Sequence, residues 1–123
     1  MNALQMARTA YSNAAAPIRT PRGTEYEAFA RITHRLRLAA QDKEKAYPAY
    51  VKALHENRRL WTLLAANVAD RENALPTELR ARIFYLAQFT AAHTSAILSG
   101  TVDETALIDI NTAIMRGLQR EGE

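Results

Sequence analysis

His34, His55 and His93 are the side chains in this chain best suited to ligate a metal or move a proton near neutral pH. Helical metal chemistry needs a second ligand one turn away, and His55-Glu56 opens the pattern of a zinc hydrolase. Arg59 stands where the second histidine would fall, so the pattern is not completed. The chain has no cysteine, which excludes disulfides, thiolate metal sites and thiol nucleophiles. Its glycines, Gly23, Gly100, Gly117 and Gly122, never cluster into a phosphate-cradling loop, and no serine is flanked by glycines as in a nucleophile elbow. Glu-x-x-His pairs of the kind that build di-iron bundles are missing from the last two helical segments. The sequence therefore reads as that of a non-enzymatic protein, with no cofactor and no metal.

The most informative run is Ala53-Leu54-His55-Glu56-Asn57-Arg58-Arg59-Leu60-Trp61, which holds the only tryptophan. At 100° per residue Leu54, Trp61, Leu64, Ala65 and Val68 share one helix face, and Asn57 falls inside that stripe. A buried amide is costly without hydrogen-bond partners, so Asn57 is either a satisfied internal tether or part of a binding site. Arg58 lies at the stripe's edge and Arg59 faces water.

Charge is unevenly spread. Residues 1–69 carry 11 Lys/Arg against 5 Asp/Glu, whereas residues 70–123 carry 5 against 8, giving the whole chain its net +3. Arg31, Arg35, Lys43, Lys45 and Arg59 could neutralise phosphates and give a salt-sensitive affinity for RNA. The aromatic residues fall mainly on apolar stripes and no short helix-turn-helix is set up, which disfavours nucleic acid and favours solvated helix faces.

These residues must be positioned by helices, because sustained β-branched alternation occurs nowhere. The expected architecture is all-α, a small bundle of about five helices. Residues 1–23 form an N-terminal arm, with a helix over Asn2–Tyr11 and a connector containing Pro17, Pro21 and Gly23. Residues 24–118 form the helical core of a single domain. Thr24 to Glu27 reads as a capping box opening the second helix, whose apolar face is Tyr26, Phe29, Thr33, Leu36 and Ala40. Acids at 25 and 27 and bases at 31, 35 and 37 suit that helix's dipole. The third helix starts near Pro48 and runs to about Ala69; the fourth spans about Pro76 to Ser99 and stops at Gly100. Thr101 to Glu104 reads as a second capping box, and Leu107, Ile110, Ile114 and Leu118 face inward from the fifth helix. Leu63, Phe84, Leu98, Ile108 and Met115 are surplus to one small core, which suggests a groove for a partner's amphipathic helix, a thicker core or a homodimer face. His93 is expected to be a satisfied core histidine.

No window approaches the ~18 apolar residues of a membrane span, and the first residues lack the apolar stretch of a secretory signal. A soluble, cytoplasmic protein is expected.

Three segments then carry a resemblance. Thr20-Pro21-Arg22-Gly23-Thr24-Glu25-Tyr26-Glu27-Ala28-Phe29, the Ala53 to Leu63 run and Leu79-Arg80-Ala81-Arg82-Ile83 resemble the FlaF family, flagellar biosynthesis regulators of alphaproteobacteria. The similarity runs in order from the N-terminal helix with Tyr11 to Asn111-Thr112-Ala113-Ile114-Met115-Arg116-Gly117-Leu118, and Asn-Arg-x-Leu-Trp at 57–61 is its most specific piece. The resemblance implies a small helical cytoplasmic protein that associates with new flagellin and supports its synthesis or export, in concert with or opposed to an FlbT-like regulator. Monomeric flagellin has amphipathic helices to shield, and a helical groove could cover them. On that reading Tyr26, Phe29, Asn57, Arg58 and Trp61 build or brace the groove, with Phe84 and Phe89 lining it. The alternatives are that Asn57 and Trp61 only lock helix packing, and that the protein acts on flagellin mRNA through the basic residues.

Overall fold

The computed structural model describes residues 21–70, 72–73 and 75–122, and four helices occupy them. These are α1 (Pro21–Gln41), α2 (Tyr47–Ala69), α3 (Thr77–Leu98) and α4 (Thr105–Gly122). Among the described residues there is no strand, so the all-α class stands, with four helices where five were expected. The helix expected over Asn2–Tyr11, and the connector up to residue 20, lie outside the described residues.

Two helix starts differ from the sequence reading. α1 begins at Pro21, a residue whose fixed φ suits a first turn, so Thr24 is helical and is not a cap. Its first turn consequently carries no acid. At α4 the caps are redistributed. Asp103 Oδ1 accepts the Thr105 amide at 3.0 Å, while the Glu104 carbonyl takes the amides of Leu107 and Ile108. Thr101 instead closes the end of α3. Its amide and hydroxyl both donate to the Ala96 carbonyl, and the Gly100 amide donates to the Ile97 carbonyl. This is a Schellman ending, and Gly100 at φ 85° supplies the left-handed residue it requires.

The other boundaries are close to expectation. Pro48 stands in the first turn of α2. The carbonyls at the end of α2 are satisfied from outside the helix: Arg80 of α3 donates to the Val68 and Asp70 carbonyls at 2.8 and 2.9 Å, and Asn73 Nδ2 donates to the Asn67 carbonyl at 3.1 Å.

α1 packs against α2 and α4, and α2 packs against α3. Short connections make successive helices antiparallel. The α1–α4 pair is antiparallel too, since Thr33 meets Asn111 in mid-helix while Lys43 meets Glu104 at the end. Two apolar clusters fill the interior. One holds Phe29, Trp61, Leu64, Val68, Leu75, Ile83 and Ala87; the other holds Leu36, Tyr50, Ala53, Leu54, Ile97 and Leu107. Ile108 packs on the second cluster and Met115 on the first, so neither is surplus, contrary to the sequence reading. Leu63, Phe84 and Leu98 do remain exposed. No helix among the described residues is long and apolar enough to cross a membrane.

Candidate functional site

Each helix places a polar residue between the two apolar clusters: Thr33 from α1, Asn57 from α2, Thr90 from α3, which also buries Thr94 one turn on, and Asn111 from α4. All five are buried. Their orientations follow from one constraint. An indole N–H can only donate, and Trp61 Nε1 donates to Asn111 Oδ1 at 2.9 Å. Asn111 must then present its Nδ2, which donates to Thr33 Oγ1 at 3.0 Å and to Asn57 Oδ1 at 2.7 Å. Asn57 is thereby turned as well, and its own Nδ2 points away without a partner.

Thr90 Oγ1 is the other buried, partnerless side-chain polar atom among the described residues. Running the antiparallel register back from the Arg80–Val68 contact brings Asn57 level with Thr90. The two unmet groups therefore stand at the same height in the bundle. Thr94 is satisfied locally, its hydroxyl donating to the Thr90 carbonyl at 2.7 Å.

This layer fixes where Trp61 and Asn57 sit in the folded chain. Trp61 is buried, edge-on to Phe29 with ring centroids 5.6 Å apart and planes at 74°. Phe29, Asn57 and Trp61 are interior groups with their side chains buried. Tyr26 and Arg58 are half-buried. Phe84 is exposed on α3, and Phe89 on the same helix is half-buried with its ring stacked on His93 at 5.2 Å. The seven residues expected to form one groove are thus divided between the core and separate faces. His93 is half-buried, its Nε2 3.1 Å from the Asp103 carbonyl.

A surface groove runs along the seam between α1 and α2. Two cavities of about 550 and 310 Å³ open there, and Arg35 and Glu56 line both. Their guanidinium and carboxylate pair at 3.3 Å across the seam. The larger cavity has Ala39, Ala49 and Ala53 in its lining and the smaller has Ile32 and Leu60. Leu38 and Leu63, 52% and 55% exposed, line one cavity each. Three of the five cations considered for RNA, Arg31, Arg35 and Arg59, line this groove. The other two do not. Lys43 pairs with Glu104 at 3.1 Å and lies over the Tyr50 ring, while Lys45 is exposed in the α1–α2 turn.

The Lys43–Glu104 pair belongs to a structural clasp. Tyr50 Oη donates to Glu104 Oε1 at 2.8 Å. Burial alone would raise the Glu104 carboxyl, but the hydrogen bonds from Tyr50, its own backbone amide and Lys43 outweigh it and hold the carboxyl below its ordinary range. Burial, and then the carboxylate beside it, push the Tyr50 hydroxyl well above the ordinary tyrosine range.

The family model described as flagellar protein FlaF matches residues 7–118. The chain belongs to the FlaF family. That match takes in α1, α2 and α3 whole, α4 as far as residue 118 and the whole Asn57–Trp61 run, so the polar layer and the α1–α2 groove are both features of a FlaF-family chain. No curated protein and no solved structure matches it.

Sequence reasoning missed Asn111 as a partner of Trp61. The signal was present, since Leu107, Asn111, Ile114 and Leu118 recur at helical spacing, the same argument that placed Asn57 inside. It also missed the groove, because the floor is made of alanines, which carry no conspicuous pattern.

Proposed function

We propose that this flagellar protein is a non-enzymatic binding protein that holds flagellin in the cytoplasm and supports its synthesis or export. The observation that carries this is the α1–α2 groove, an apolar floor flanked by exposed leucines. Such a surface suits an amphipathic helix, the element that unassembled flagellin must keep from premature contacts. Family membership supports the flagellar context. An FlbT-like regulator is a natural second partner. The cations at the groove's rim also support a second reading, direct binding of flagellin mRNA.

Salt separates these readings. Apolar capture of flagellin should persist at ~0.5 M salt, whereas a phosphate-driven complex should weaken by orders of magnitude. The tagged chain, purified from flagellated cells at high salt, is expected to retain flagellin. If it loses flagellin while binding RNA tightly at low salt, the protein-binding function is wrong.

A further inference from the structure

We infer that the α1–α2 groove is built for an acidic amphipathic helix of about four turns. The inference rests on the reading of this protein as a binder of helical partners, and adds the chemistry and length of what it binds. The groove runs from Ala28 along α1 to Asp42, the residue just past its end, which at ~1.5 Å per residue is about 21 Å, the length of roughly fourteen helical residues. Alanines 39, 49 and 53 let a second backbone approach closely at one end. Ile32, Leu60 and Leu63 offer apolar contact at the other.

Charge selects the occupant. Arg31 and Arg35 stand one turn apart on the α1 wall, and Lys52 and Arg59 stand two turns apart on the α2 wall. Only Asp42 and Glu56 oppose these four cations in the lining, and Glu56 already spans the seam to Arg35. A helix with carboxylates on both edges of its apolar stripe would meet cations on both walls and compete with Glu56 for Arg35. The chain's own N-terminal residues do not fit this description. Residues 1–20 contain Arg8 and Arg19 and no acid.

The test uses the full chain and four fluorescent probes. These are an 18-residue Leu/Ala-striped helical peptide edged with glutamates, its twin edged with lysines, a peptide of residues 1–20, and a twelve-nucleotide uridine RNA. At 0.1 M salt the glutamate peptide is expected to bind at least tenfold tighter than the lysine twin. The exposed-face variant Arg31→Glu/Arg59→Glu should reverse that preference with its melting temperature unchanged, and Tyr85→Glu, away from the groove, should leave it alone. Equal binding of the two peptides overturns the inference, as does tighter binding of the RNA or of the 1–20 peptide. It is also overturned if light scattering shows a dimer that the double variant dissociates, since a second copy would then fill the groove. Flagellin co-purification with the same double variant keeps the two readings apart. Wild-type chain and variant retaining flagellin equally would remove the groove while leaving flagellin binding intact. Loss of flagellin from the wild type, with the peptide preference kept, would remove flagellin and leave the groove.

Discussion

Asn111→Leu is the sharpest perturbation of this fold, because one side chain orients three others. Leucine occupies nearly the same volume, so the change removes hydrogen bonds with little cavity. Trp61 Nε1–H loses its acceptor, Thr33 Oγ1 loses a donor, and Asn57, whose Nδ2 is already unmet, loses the donor to its Oδ1. Each stranded buried group costs ~1–3 kcal/mol, so the variant should lose about 4 kcal/mol. A chain of this size has roughly 5–15 kcal/mol in total, and a loss of that size should lower the melting temperature by about 10–20 °C. Trp61 is the only tryptophan, so its fluorescence in a urea titration reads the site directly, with circular dichroism as the second probe. Adding Asn57→Leu removes a stranded group, so the double variant should be more stable than Asn111→Leu alone by ~1–3 kcal/mol. A single variant costing under ~1 kcal/mol, or a double variant less stable than the single, would refute the account of the polar layer.

Three further outcomes follow from the same geometry. Thr90→Val deletes a buried hydroxyl that has no partner, so it should be neutral or stabilising in a urea melt, whereas Thr94→Val should destabilise by about 1 kcal/mol because its hydroxyl is bonded. Arg80→Ala uncaps the Val68 and Asp70 carbonyls and should cost ~1–2 kcal/mol, with faster amide exchange over the last turn of α2. Tyr50→Phe should cost ~1–2 kcal/mol near neutrality and change the pH profile at both ends. Glu104 has a depressed folded pKa, so its contribution is present above the unfolded value of ~4.3 and is lost as pH falls through the folded one. Tyr50 has a raised pKa, so its contribution is present below ~10 and fades as pH climbs beyond it. The variant's melting temperature should therefore converge on the wild type's in acid; a constant gap down to low pH would show the clasp is not involved.

The four described helices were legible because their apolar residues recur at helical spacing, and because Pro48 and Gly100 mark chain conformations that few other residues share. Caps were less legible. Thr24 and Thr101 each precede an acid at the right interval, but Pro21 starts α1 a turn earlier and Thr101 is taken by the end of α3. A capping box is a local pattern, and the helix boundaries on either side decide whether it is used.

Periodicity alone determined that Asn57 and Trp61 face inward together, since that depends only on residues sharing one helix. What they meet there depends on α1 and α4, more than fifty residues from Asn57 in the case of Asn111. No local rule ranks Asn111 above the other polar residues of the chain. The tertiary structure decided it, because a donor-only indole needs an acceptor at one height in the bundle, and only the packing of four helices sets that height. The groove has the same origin: its alanines and arginines are unremarkable on either helix, and become a surface when α1 and α2 lie side by side.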